Sequence, residues 1–312
     1  MRQLTPAALR VLHQQHNLIS TEQLRQVGVG RAHRERLVEE GVLEHVGHSV
    51  FGVPGCEPTL ERRCLALSMQ HPASYITGPT AGRLVGLRRM PRLAEISLGA
   101  RHGSKVIVPP GVRLRQTTQL PEHHLRRLEN GIVVAAWPRL AFDLSADLSR
   151  LDLVSVIDQM IHEGRTDMHE LVATAELLCA RGRAGSVQFA RVLRERGGRA
   201  PLESHPEVRV FDGLVRRGVP VVAQVRHLEL PDGSRIRIDM AVDAVRWAVE
   251  VDVHPAHVEL PGTTRDKRRD RQLHLIDWQV ERVTPLDLLD LRRLLDELVS
   301  LYRARSAALR TR

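Results

Sequence analysis

Lysine is almost missing from this chain: of its 46 Lys and Arg residues, only Lys105 and Lys267 are lysine. Guanidinium groups therefore carry nearly all of the net charge of +9. That bias reads either as a GC-rich genome or as selection for guanidinium chemistry. A basic surface favours a polyanionic partner, because it releases the counterions condensed around phosphates, and the GC-rich genome is the blander alternative to that reading. Cysteine is scarce as well. Cys56, Cys64 and Cys179 are odd in number and lack CxxC spacing, which argues against a disulfide framework and a structural zinc and leaves buried thiols as the expectation. No run approaches the roughly 18 apolar residues of a membrane span. The opening "MRQLTPAALRVLHQQHN" lacks a signal-peptide core, so a cytoplasmic protein with no membrane partner is expected. With 42% hydrophobic and 27% charged residues the chain is a folding one, and at 312 residues it is too long for one ordinary core.

The first 54 residues predict three short helices and a β-hairpin. Leu9 and Leu12 recur at helical spacing in Pro6 to Gln15. Ser20 and Gln23 form a capping-box pattern ahead of a helix that stops at Gly28. "GRAHRERLVEEG" predicts a third helix, and "VLEHVGHSVFGV" alternates around Gly47 as a hairpin does. This is the order of a winged helix, in which the third helix enters the major groove. Arg31, His33 and Arg34 then lie at the groove-facing start, with His45 and His48 on the wing. The competing reading is a solvated face on which Arg31, Arg34 and Arg36 pair with Glu35, Glu39 and Glu40. The flow "LRVLHQQHNLISTEQLRQVGVGRAHRERLVEEGVLEHVGHSVFGV" resembles the N-terminal domain of AbiEi-type antitoxins. That resemblance implies binding to double-stranded DNA and a toxin-like protein partner.

Residues 55–185 are similar to the domain that follows in the same family, through "YITGPTAGRLVGL", "EISLGARHGSKVIVPPGVRLRQTT" and "GIVVAAWPRLAFDLSADLSRLDLVSVIDQMIHEG". The pattern predicts a small sheet followed by helices. It contains no nucleophile, metal spacing or phosphate loop. His123 and His124 are expected at the surface, and Arg113 and Arg115 are candidates for extending a nucleic-acid surface. Residues 186–199 predict a linker helix with the apolar stripe Val187, Ala190 and Leu193, closed by "GGRAP".

From residue 200 the chemistry becomes more specific. Pro201 is a good first helical residue. "VVAQVRHLEL", "RIRIDMAV" and "RWAVEVDV" predict a three-stranded meander, with Asp239 ending the second strand and Glu250 and Asp252 on the third. Alternate side chains share a strand face, so Glu250 and Asp252 point one way and can face Asp239. Carboxylates of this kind either pair with Arg235, Arg237 and nearby helix arginines or supply the hard oxygens that Mg²⁺ prefers.

The spacing Asp, then Glu-x-Asp, resembles the PD-(D/E)XK nuclease superfamily, and more narrowly a bacterial family related to very-short-patch-repair endonucleases. The resemblance covers about residues 200–290 through "APLES", "AQV", "RIDMAV", "AVEVDVHPAH" and "TRDKRRDRQLHLIDWQVERVTPLDL". It implies an αβββαβ domain over 200–312 and Mg²⁺- or Mn²⁺-dependent cleavage of DNA. Glu203 is implied as the helix carboxylate, Asp239 and Glu250 as metal ligands, and Val251 as a carbonyl ligand. His257 matches the family's histidine, and Asp252 stands where many superfamily members carry lysine. Pro206 leaves either Glu203 or Glu207 to face the site. Lys267 or Arg269 are candidates to replace the usual lysine, and Arg268 and Arg269 to contact DNA. A homodimer would serve double-strand cutting. The overall expectation is an α+β and α/β multidomain chain. The alternative function is an antitoxin-like regulator with a degenerate nuclease-like domain.

Overall fold

The computed structural model describes residues 4–92, 95–252 and 260–311. The chain divides into two compact units, Met1–Leu148 with His169–Arg191, and Ser149–Met168 with Val192–Arg312. Both mix helices and sheets, as the sequence predicts for an α+β chain.

Unit 1 begins with α1 (Pro6–Gln14), β1 (Leu18–Ser20), α2 (Thr21–Gln26), α3 (Arg31–Glu39), β2 (Glu44–Gly47) and β3 (Val50–Gly52). The Ser20 hydroxyl accepts from the Gln23 N–H, and the Gln23 side chain accepts from the Ser20 N–H, so the expected capping box sets the start of α2. Gly28, at φ +80°, takes the left-handed conformation that closes this helix. The strand β1 was not predicted. It pairs antiparallel with β3 and turns the hairpin into a three-stranded sheet of order β1-β3-β2. Leu12, Ile19, Leu24, Leu37, Leu43 and Phe51 form the core beneath.

The same unit continues through α4 (Leu60–Gln70), β4 (Ser74–Ile76), α5 (Gly78–Leu84), β5 (Ile96–Arg101), β6 (Val112–Thr117), β7 (Leu125–Arg127), β8 (Val133–Ala135) and α6 (Trp137–Leu144). These strands form a sheet of order β6-β5-β4-β8-β7, in which β5 and β6 run parallel. The buried Arg62 of α4 donates to the carbonyls of His16 and Val53, tying the first segment to the second. His124 is buried, contrary to expectation, and only His123 is exposed. Burial, then the positive charge of Arg139, pushes the His124 imidazole down to about 4, so it is neutral.

Then come α7 (Arg150–His162), α8 (Met168–Leu178) and α9 (Ser186–Arg196). The stripe expected on α9 needs correction. Val187 is 85% exposed, and the buried residues are Phe189, Val192 and Leu193.

Unit 2 carries α10 (His205–Arg216), β9 (Val222–Glu229), β10 (Arg235–Val242), β11 (Trp247–Val251), α11 (Leu260–Leu275), β12 (Gln279–Val283) and α12 (Leu291–Arg310). This is the predicted αβββαβ order with one helix added. The helix α10 starts at His205 and not at Pro201, because the Ser204 hydroxyl caps it by accepting from the Glu207 N–H. The sheet runs β12-β11-β10-β9, antiparallel except for the parallel pair β11 and β12. Val210 and Leu214 of α10 pack with Leu295 and Leu298 of α12 against Met240, Val249 and Val283. Leu273 of α11 packs with Trp278 against Ala241 and Ala248. The carboxylates sit in a sheet packed by helices. Among the described residues no helix is long and apolar enough to cross a membrane.

Candidate functional site

The register of unit 2 assembles a polar row across a largely apolar sheet. Ile238 pairs with Val225 and Met240 with Ala223, which sets Asp239 across from Gln224. On the other side Met240 pairs with Val249, so the next position sets Asp239 beside Glu250, and Glu250 in turn pairs with Arg282. Asp239 lies inside β10, three positions before its end, and not at the terminus the sequence suggested. Its carboxylate accepts a 3.0 Å hydrogen bond from the Val251 N–H, which pins it against the neighbouring strand.

The helix carboxylate also differs from expectation. Glu203 precedes α10, where it pairs with Arg237 and lies 3.7 Å from His162 Nδ1. Glu207 occupies the first turn and is 5% exposed. Its Oε2 accepts from the Glu203 N–H at 3.0 Å and from Gln224 Nε2 at 3.1 Å. Burial raises the Glu207 carboxyl above its ordinary value, and the negative charge of Asp239 adds to the rise. Burial likewise raises Asp239, against the opposing Val251 N–H and Arg237. Neither Glu207 nor Asp239 has an ion-pair partner among the described residues.

Glu250 differs. Arg269 of α11 and Arg282 of β12 each take one of its oxygens, the latter at 3.1 Å. Even so, burial outweighs both arginines and leaves its carboxyl raised. Arg269 also donates to the Arg237 carbonyl, and Arg282 reaches Asp270 at 2.7 Å. Asp252 follows β11 directly and is half-buried, with its N–H donating to the Val283 carbonyl. Arg268 is largely exposed, 3.7 Å from Asp232. His257 and the side chain of Lys267 lie outside the described residues.

Sequence reasoning gave Gln224 no role. It sits inside β9 with φ +52°, a conformation that is costly for a non-glycine residue and recurs at functional sites. The residue is 5% exposed, and its Oε1 is buried with no hydrogen-bond donor among the described residues. Gln224, Glu207 and Asp239 bring together an amide oxygen and two carboxylates that have no ion-pair partner among the described residues. That donor chemistry fits a hard divalent cation. Among the described residues, however, no three Asp, Glu, His or Cys side chains stand close enough to hold one as they are.

In unit 1, Arg31 opens α3 with its side chain 83% exposed and an ion pair to Glu35 at 2.8 Å. Arg34 is half-buried, its guanidinium 5.4 Å from the centre of the Phe51 ring. His33 is half-buried with a partnerless Nε2, while His45 and His48 are exposed on the hairpin. Arg113 and Arg115 both bind Asp147.

No family profile matches the chain, and neither does any curated protein. Its fold has a likeness to the crystal structure of the Rv2827c protein from Mycobacterium tuberculosis, at 15% identity and a TM-score of 0.41, over 65% of this chain and 80% of that one.

Proposed function

We propose that this chain binds double-stranded DNA and that its second unit is a divalent-metal-dependent endonuclease site. The observation that carries the reading is the row Gln224, Asp239 and Glu250 on adjacent strands, with Glu207 entering from the first turn of α10. Asp239, Glu207 and the Gln224 amide oxygen would hold Mg²⁺ or Mn²⁺, with Glu250 as the further carboxylate. A bound cation polarises a phosphate and activates water for attack. The chain's own groups do the rest. The Val251 N–H orients Asp239, and the hydrogen bonds from Gln224 and Glu203 orient Glu207. Arg269 keeps a guanidinium beside the row, where it can meet charge developing on phosphate oxygens. In unit 1, the exposed Arg31 on α3 and His48 on the hairpin support docking on a duplex.

The test uses supercoiled, linear and single-stranded DNA with Mg²⁺, Mn²⁺ or EDTA, beside Asp239→Asn and Glu207→Gln. Cleavage is expected with either metal and is lost with EDTA and in both variants. Cutting that persists in both variants would mean the site lies elsewhere.

One observation favours a second reading. Arg269 and Arg282 occupy Glu250, and Arg237 occupies Glu203, as in a self-neutralised cluster. An antitoxin-like regulator, with a toxin-like protein partner, would shift its DNA target without cutting it. Homodimers belong to the first reading, since double-strand cleavage needs two sites.

A further inference from the structure

Unit 1 holds a cleft of about 290 Å³ whose walls carry charge of the opposite sign. Tyr75 of β4, Arg115 and Thr117 of β6, Arg139 and Phe142 of α6, and Arg183 from the segment after α8 line it. The wall is built to close tolerance. A Cβ on Gly99 would come within 2.3 Å of the Tyr75 ring, so the ring lies directly on the β5 backbone. Buried Arg139 donates to both oxygens of Asp143 at 3.0 and 3.1 Å, to the Tyr75 hydroxyl at 2.7 Å and to the Gln119 carbonyl at 2.9 Å. Arg115 grips Asp147 with two bonds of 2.7 and 2.8 Å, and Arg113 reaches the same carboxylate at 3.0 Å.

Arg183 is left without a carboxylate. Its Nη2 donates to the Thr117 hydroxyl at 3.0 Å, and its guanidinium stands 4.9 Å from the centre of the Phe142 ring. Burial, then the charge of Arg139, lowers the affinity of this guanidinium for its proton. The charged side chains that line the cleft are Arg115, Arg139, Arg183 and Asp143, so its lining carries two positive charges in excess.

We propose that this cleft binds a phosphomonoester dianion, carried either by a free nucleotide or by the 5′ end of a nucleic-acid strand. Its charge of about −1.5 to −2 near neutrality matches the excess, where a single carboxylate would not. Planar guanidinium forks suit its oxygens. The inference stands apart from the carboxylate row of unit 2, and its readout is binding and not cleavage.

The full chain is titrated with inorganic phosphate, AMP, and 5′-phosphorylated and 5′-hydroxyl oligothymidylate, by calorimetry and thermal unfolding in EDTA. Phosphate and AMP are expected to bind and raise the unfolding midpoint if the source is a free nucleotide. Preference for the phosphorylated over the hydroxyl strand, with AMP silent, identifies a strand end. Arg183→Gln is expected to weaken the active probe roughly tenfold or more, as loss of a charged hydrogen bond does. Ala184→Asp, at the exposed rim, places a negative charge there without removing a contact and is expected to do the same. The proposal is overturned if no probe binds, if the two strands bind alike with AMP and phosphate silent, or if both variants, folded by circular dichroism, bind as the parent does.

Discussion

Asp158 and Glu207 are both buried carboxylates of unit 2, 0% and 5% exposed, yet their surroundings are opposite. Asp158 on α7 receives Arg196 Nε at 2.9 Å and Arg199 Nη2 at 2.7 Å, so each oxygen meets a guanidinium. Glu207 receives only neutral donors and shares its neighbourhood with Asp239. The first arrangement is complete within the chain. The second gives Glu207 no counter-charge among the described residues, which is the difference the proposed site rests on.

The sharpest way to break this comparison is to remove each acid in turn. Asp158→Ala leaves Arg196 buried without its partner, and losing one member of a buried pair costs about 3–5 kcal/mol. Urea unfolding should record that loss, and a change below about 1 kcal/mol would remove Asp158 from the structural class. Asp239→Asn should leave metal-free stability unchanged or raised, since it removes a half-buried charge whose desolvation outweighs the help it gets from the Val251 N–H and Arg237. What it should abolish is stabilisation by Mg²⁺, which for the parent is about 2.7 kcal/mol at a hundredfold excess over Kd. Equal Mg²⁺ stabilisation of parent and variant would separate the metal from the row.

Acidity sharpens the same contrast more gently. Folding raises the carboxyls of Glu207 and Asp239 above their ordinary values of 4.5 and 3.8, so the native chain binds more protons than the unfolded one above those values. Their contribution to stability is therefore greatest at and below the ordinary carboxylate range. It declines as the pH rises from there through the raised native values. Glu207→Gln should flatten that decline in EDTA, as should Mg²⁺ with the parent. A parent whose unfolding midpoint climbs over this window, with the variant doing likewise, would contradict the assignment.

Much of unit 2 was legible because each strand is bounded by chemistry that local rules recognise. "RIRIDMAV" matches β10 residue for residue, after a turn in which Gly233 takes φ +79° and Asp232 accepts from the Ser234 N–H. The place of Glu207 on the helix was legible too. Ser204 with Glu207 three residues on is a capping pattern, and Pro206 fits the first helical turn, so the helix start pointed to Glu207. Other features were not local. Only the register reveals Gln224 beside Asp239, and β1 is three residues whose strand character comes from pairing with β3, 30 to 34 positions away. The arginine cleft was invisible for the same reason, since Arg115, Arg139 and Arg183 meet only through the sheet of unit 1.

An exposed pair supplies the last and smallest contrast. Arg31 and Glu35 form an i,i+4 bridge at 2.8 Å on α3, with side chains 83% and 52% exposed. Solvent and salt screen such a pair, so Arg31→Ala should leave the unfolding midpoint unchanged within error. If α3 docks on DNA, however, the same guanidinium can leave Glu35 for a phosphate, since exchange between two exposed anions costs little. The variant should then bind duplexes of every sequence more weakly. Its affinity should also depend less steeply on salt, the logarithmic slope falling by about 0.9 for the lost contact. An unchanged salt slope would mean that Arg31 belongs to a solvated face, leaving duplex binding to other groups. A smaller slope with an unchanged midpoint would show one arginine serving recognition and not stability, the converse of Arg196.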